Sequence, residues 1–142
     1  MCQAFNLKKV FLLFFCRLFV LGLLASFFAA SGHGYADTKR LMIFGDSLVA
    51  GYGLSAEEGF TGQLQTRLED EAMAIEVINA GVSGDTSAGG LARLNWSLSE
   101  KPDYILIVLG GNDLLRGINP ADTRQNLDHI LATVQALGVQ TF

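Results

Sequence analysis

Cysteine is absent from everything beyond residue 16 of this 142-residue chain, the two present being Cys2 and Cys16. A disulfide scaffold and a cysteine-ligated zinc site are therefore excluded from the body of the protein. Histidine is equally scarce, with only His33 and His129, so chemistry that needs an imidazole has few places to find one. Acidic residues are missing from residues 1–36, whose only charges are Lys8, Lys9 and Arg17. From Asp37 onward the balance reverses, with seven basic residues against fourteen acidic ones. The resulting net charge of −7 over 37–142 argues against nucleic acid or an anionic membrane face as partner, since no basic patch offsets phosphate charge. Low-complexity stretches, internal repeats and linkers are also lacking, so 37–142 is expected to be one domain.

What is present begins with a leader. Lys8-Lys9 precede an apolar run from Val10 to Ala30, broken only by Arg17 and weakly by Ser26. A positive start, an apolar middle and small residues at Gly34 and Ala36 predict a secretory signal peptide over 1–36, cut after Ala36. The rival is an uncleaved anchor, because the run is about long enough to span a bilayer; Arg17 inside it weakens that reading. Leu13-Phe14-Phe15 is too bulky for a lipobox ahead of Cys16. The expected location is periplasmic or secreted, with membrane contact only through the leader.

In the body, short apolar runs alternate with longer amphipathic ones. Leu41–Phe44, ending at Gly45, is all apolar and predicts a strand buried on both faces. Gly59–Asp70 has helical spacing, Ile75–Ala80 is a second strand, and Gly81–Thr86 a polar loop. Ser87–Leu98 predicts a helix with Leu91, Leu94 and Leu98 on one face. Lys101-Pro102-Asp103 is a turn before a third strand over Tyr104–Leu109. Asn119 suits a helix N-cap, Pro120 the first helical position and Gly138 the stop. Leu127, Ile130, Leu131, Val134 and Leu137 make that helix's apolar stripe, and Val139–Phe142 opens a fourth strand. This alternation implies an α/β domain with a parallel sheet covered by helices on both faces.

Ligands of open α/β sheets bind outside the carboxyl ends of the strands. Three loops fall there: Gly45-Asp46-Ser47-Leu48, Gly81-Val82-Ser83-Gly84-Asp85 and Gly110-Gly111-Asn112-Asp113. Ser47 can present its hydroxyl at the sheet's rim, Gly84 can aim its backbone N–H at a bound oxygen, and Asn112 offers an amide donor. A nucleophile with two donors suits acyl transfer, in which charge develops on a carbonyl oxygen. Singly, each has a plainer reading: Gly-Asp-Ser as a turn and helix cap, Gly84 and Asn112 as turn residues. Their occurrence in chain order, each after its own strand, is what favours a site.

Those same blocks resemble the GDSL, or SGNH, hydrolases. Ile43–Gly53, Asn79–Thr86 and Leu109–Arg116 are similar to the exported arylesterase, acyl-CoA thioesterase and lysophospholipase branch, and the likeness runs from about Asp37 to Phe142. The resemblance implies a three-layer α/β/α, flavodoxin-like sheet. It also implies Ser47 as nucleophile, with the Ser47 and Gly84 N–H groups and the Asn112 side chain forming an oxyanion hole. It implies no metal or organic cofactor, and a small ester or thioester as substrate; we expect a monomer.

The sequence departs from the family in its fourth block. No Asp-x-x-His, the source of the family's proton-accepting histidine, occurs in these residues. His129 lies two residues after Leu127, about 200° round a helix and so away from the apolar stripe, where it is expected to be a solvated helix residue beside Asp128. Residues 37–142 are therefore expected to be an N-terminal portion of the hydrolase domain. By themselves they are expected to be inactive, since losing one member of a catalytic unit can cost on the order of 10⁶ in kcat in a serine protease. Leu114, Leu115 and Ile118 could form an apolar wall for the acyl group.

Two other function classes compete. Gly51-Tyr52-Gly53-Leu54-Ser55-Ala56 fits a loose Gly-x-Gly-x-x-Gly/Ala pattern of dinucleotide folds, but such glycines belong directly at the strand end, and here strand one stops near Phe44. A non-catalytic exported domain binding acyl chains or glycans is the other alternative.

The leader generates the first prediction. Protein recovered from the cell envelope should begin at Asp37 on N-terminal sequencing, and an intact Met1 in the membrane fraction would replace the cleaved leader with an anchor.

Overall fold

Residues 37–142 are described by a computed structural model; the predicted leader, 1–36, lies outside the described residues. The first strand, β1 (Lys39–Gly45), contains the apolar run found in the sequence, and its Met42, Ile43 and Phe44 are completely buried. Burial on both faces requires neighbours on both sides. β2 (Ile75–Gly81) pairs with one edge of β1 and β3 (Tyr104–Val108) with the other, both parallel. The short β4 (Gln140–Thr141) extends the sheet from β3, again parallel, giving the order β2-β1-β3-β4.

Five helices connect or flank these strands: α1 (Ser47–Ala50), α2 (Phe60–Asp70), α3 (Ser87–Leu98), α4 (Gly111–Leu115) and α5 (Pro120–Ala136). The pleat sends alternate residues of β1 to opposite faces. Met42 and Phe44, with Ile105 of β3, meet Leu94 and Leu98 of α3 and Ile130 and Val134 of α5 in the main core. On the other face lie α1 and α2, where Asn79 Nδ2 of β2 donates to Thr61 Oγ1 of α2 at 3.0 Å. The result is the three-layer α/β/α arrangement expected from the sequence, in the strand order of flavodoxin-like sheets.

Several boundaries follow from local chemistry. Asn119 accepts a hydrogen bond from Ala121 N at 3.0 Å, Pro120 opens α5, and Gly138 takes the left-handed φ of 74° that ends it. The expected apolar stripe fails at its last member: Leu137 is 62% exposed. The helix ends at Ala136, so helical spacing no longer aims the next residue at the core. At the sheet edge, Gln65 of α2 donates to the Ile75 carbonyl at 3.2 Å and accepts from Val77 N at 2.7 Å. Its amide thus does for β2 what a neighbouring strand would, blunting an otherwise open edge.

Close approach of α1 to the sheet depends on glycine at position 81. A Cβ there would lie 2.2 Å from Ala50 N and 2.6 Å from the Val49 carbonyl carbon. Both are backbone atoms and cannot rotate away. Gly81→Ala should therefore destabilise the protein by about 3 kcal/mol, read as a fall in urea midpoint. A midpoint equal to that of the parent would show that α1 can shift freely, contrary to this packing.

Candidate active site

Because the chain passes from β2 back across β1 to β3, the loops leaving β1 and β3 diverge to opposite faces and open a crevice between them. All three loops singled out in the sequence lie at this end of the sheet. Asp46 follows β1 and is only 4% exposed; it caps α1 by accepting from Leu48 N at 3.0 Å. Ser47 is the first residue of α1 and half-buried. The plain reading of Gly-Asp-Ser, a turn and helix cap, is thus true of Asp46 and leaves the Ser47 hydroxyl unused. Neither that hydroxyl, nor the N–H of Ser47, nor the N–H of Gly84 has a hydrogen-bond partner among the described residues.

The three loops are bonded to one another through the neighbours of the candidate residues. Asn112 Nδ2, in the first turn of α4, donates to the Asp85 carbonyl at 2.9 Å and faces Asp46 Oδ2 at 3.4 Å. Both partners are acceptors, so the nitrogen rather than the oxygen must point at them. Gly84, at φ 85°, is held from outside by Arg116 Nη2, which donates to its carbonyl at 2.8 Å. The Gly45 carbonyl accepts from Val82 N at 2.9 Å, clamping the second loop to the end of β1. These bonds hold to one another the segments that carry Ser47, Gly84 and Asn112.

Other groups around the site were not found from the sequence. Asp113, 2% exposed, accepts from Ser87 N at 2.7 Å, Ser87 Oγ at 2.5 Å and Thr123 Oγ1 at 3.1 Å. Asn126 Nδ2 adds a bond to Ser87 Oγ at 3.0 Å, so the N-terminus of α3, the short α4 and α5 are tied at one carboxylate. Burial pushes the Asp113 carboxyl up, but the Ser87 and Thr123 donors outweigh it and hold it below the ordinary carboxylate value. Arg93 and Asp85 form a second largely buried pair at 2.6 Å. A sequence clue existed in the acidic residues embedded among glycines and apolar positions, where a carboxylate survives only if several donors serve it. Which donors serve it was not deducible, because Ser87 and Asp113 are far apart in the chain.

His129 is exposed on α5, its carbonyl accepting from Thr133 Oγ1, so it takes the solvated position expected of it. The Gly51-Tyr52-Gly53 segment is separated from β1 by α1, which removes the geometry of a dinucleotide loop. Leu114 and Leu115 are 82% and 84% exposed beside Asn112, and Leu48 is 72% exposed beside Ser47. These exposed apolar side chains are chain neighbours of the candidate residues. Among the described residues, no cluster of three histidine, cysteine or acidic side chains could hold a metal ion.

Comparison with known proteins agrees with this fold. The model of the GDSL-like lipase/acylhydrolase family matches residues 43–142. Esterase TesA of Pseudomonas aeruginosa is 47% identical over 106 residues, which are 74% of this chain and 53% of that protein. Thioesterase 1/protease 1/lysophospholipase L1 of Escherichia coli is 44% identical over 106 residues, covering 74% of this chain and 49% of that one. The solved structure of AlinE4, an SGNH-hydrolase family esterase, superposes with a TM-score of 0.72 at 43% identity, over 76% of this chain and 59% of its own. The chain spans about half the length of the curated relatives it matches.

The Asp113 cluster sets an acid limit. Its carboxyl titrates lower in the folded than in the unfolded state, so its stabilisation is complete above about pH 5. It begins to fade as pH drops past the unfolded value near 3.9 and is lost through the lower folded value. Asp113→Asn should cost about 1–3 kcal/mol at pH 7, with the gap to the parent narrowing in acid. Urea unfolding at both pH values checks this, and a gap that widened in acid would reverse the sign.

Proposed function

The chain belongs to the GDSL-like lipase/acylhydrolase family, and on that premise we propose that the protein is an exported, monomeric serine hydrolase of carboxylic esters and thioesters. Ser47 is its nucleophile, and the N–H groups of Ser47 and Gly84 with the Asn112 amide form its oxyanion hole. The observation that carries this reading is the set of unspent groups at the β1–β3 crevice: the Ser47 hydroxyl and the Ser47 and Gly84 N–H groups are without partners among the described residues, beside an Asn112 amide already turned toward the same loops.

In the proposed reaction the Ser47 hydroxyl adds to the substrate carbonyl carbon while a base takes its proton. The negative charge that forms on the carbonyl oxygen is met by the N–H groups of Ser47 and Gly84 and by the Asn112 amide. Of the two Asn112 N–H groups, the one held loosely toward Asp46 at 3.4 Å is the donor available for this. Collapse expels the alcohol or thiol, which receives the proton from the base, and leaves an acyl-Ser47 ester. Water, deprotonated by the same base, then releases the carboxylic acid and restores Ser47. Leu48, Leu114 and Leu115 give the acyl chain apolar surface. The relatives' printed names include esterase, thioesterase and lysophospholipase, and all three share this tetrahedral chemistry.

Turnover requires a base that these residues do not place at Ser47. His129 lies exposed on α5, and no Asp-x-x-His occurs here. The net charge of −7 over 37–142 further argues against nucleic acid as the substrate.

The test is hydrolysis of p-nitrophenyl butyrate and an acyl-CoA by the whole protein as its gene encodes it. Ser47→Ala should abolish both activities and labelling by a fluorophosphonate. Asn112→Ala should lower kcat on the order of 10²–10³, as for one oxyanion donor. Near-normal turnover in Ser47→Ala would discard the nucleophile assignment, whereas a parent protein with neither turnover nor fluorophosphonate labelling would favour a binding domain. Ser47-dependent turnover by Asp37–Phe142 alone would instead bring His129 forward as the base.

A further inference from the structure

Arg93 of α3 is a charged side chain in a place that does not obviously call for one. Its side chain is only 16% exposed, and a guanidinium is costly to bury unless its donors are satisfied. Here they are satisfied by groups from different parts of the site. Nε donates to Asp85 Oδ2 at 2.6 Å, Nη2 to the Gly45 carbonyl at 3.0 Å and Nη1 to Ser97 Oγ at 3.2 Å. The guanidinium also lies over the Phe44 ring, 4.1 Å from its centroid. Gly89 makes room for the carboxylate, since a Cβ at that position would stand 2.7 Å from Asp85 Oδ1.

Two of those partners adjoin the proposed catalytic groups. Gly45 is two residues before Ser47, and Asp85 directly follows Gly84. Asp85 also accepts from Asn112 Nδ2 through its carbonyl. One side chain therefore fixes the end of β1 against the loop that carries Gly84, and through Asp85 reaches the Asn112 loop. We infer that Arg93 is a positioning residue that sets the spacing between Ser47 and its oxyanion donors; the inference rests on the esterase reading above.

Mere anchoring of α3 would need one ion pair. Spanning Asp85, Gly45 and Ser97 at once needs a planar fork with fixed donor directions, which lysine lacks. The functional consequence is steep, because a misplacement of about 1 Å at a reacting centre can cost on the order of 10²-fold in rate.

The whole protein should be compared with Arg93→Lys, Arg93→Met and the double variant Arg93→Met/Asp85→Asn, reading kcat, KM and melting temperature. Arg93→Met should lower kcat on the order of 10²-fold with KM within about twofold, and should melt earlier because the Asp85 carboxylate is left unpaired. The double variant removes that orphaned charge, so its melting temperature should recover while its kcat stays low. Arg93→Lys keeps the pair with Asp85 but not the reach to Gly45, and should lose about tenfold in kcat with its melting temperature held. Recovery of kcat in step with stability, or a near-parent kcat in Arg93→Lys and Arg93→Met, would overturn the positioning role. Parent-level turnover that survives Ser47→Ala would overturn Ser47 as the nucleophile on which this inference rests, whatever the Arg93 variants do.

Discussion

Parallel pairing on both edges of β1 is the constraint from which the rest of this structure follows. A strand with neighbours on both sides and helices on both faces can carry only apolar residues through its middle, and Met42, Ile43 and Phe44 meet that demand with no exposure at all. Parallel neighbours require crossover connections, which supply the covering helices. With β2 on one edge and β3 on the other, the crossovers leave opposite faces and part at the carboxyl end of β1. A crevice opens there without any residue being dedicated to making it.

Small residues then decide how tightly that crevice is walled. Gly45, Gly81 and Gly90 lie where a Cβ would come within 2.6 Å of a neighbouring atom. At Gly81 the neighbours are backbone atoms of α1, so its bareness lets the helix that begins with Ser47 rest directly on the strand end. Gly90 lets α3 settle over Phe44 and Leu109. At Gly81, therefore, backbone lies on backbone, a contact that no side-chain rotation can relax.

Carboxylates do the joining between loops. In a body with fourteen acidic residues against seven basic ones, most acids lie in solvent, but Asp46, Asp85 and Asp113 are drawn inward. Each is served differently: Asp46 by a helix N-terminus, Asp85 by a guanidinium, Asp113 by hydroxyls and a backbone N–H. A buried carboxylate without donors would cost several kcal/mol, so each of the three enforces the arrangement that satisfies it. Asp46 and Asp113 flank Ser47 and Asn112 in the chain, and Asp85 follows Gly84. The proposed catalytic groups inherit their placement from these acids.

The sequence by itself determined the strands, the three longer helices and the segments that hold the candidate site, but not the short α1 and α4, which take up Ser47 and Asn112 where loops were expected. These are local matters: an all-apolar run such as Leu41–Phe44, the spacing of Ser87–Leu98, or Asn119-Pro120 ahead of a helix each states its conformation within a few residues. It also determined that Ser47, Gly84 and Asn112 would share one edge, since every strand of a parallel sheet ends at the same side. Tertiary structure alone decided the exposure of Leu137 once α5 stopped at Ala136, and the partners of Asp85, Asp113 and Arg93. Those partners are separated by 8, 26 and 48 residues along the chain. Hydrogen bonds of that kind depend on distances set by the packed sheet and helices, and no pattern of neighbouring residues encodes them.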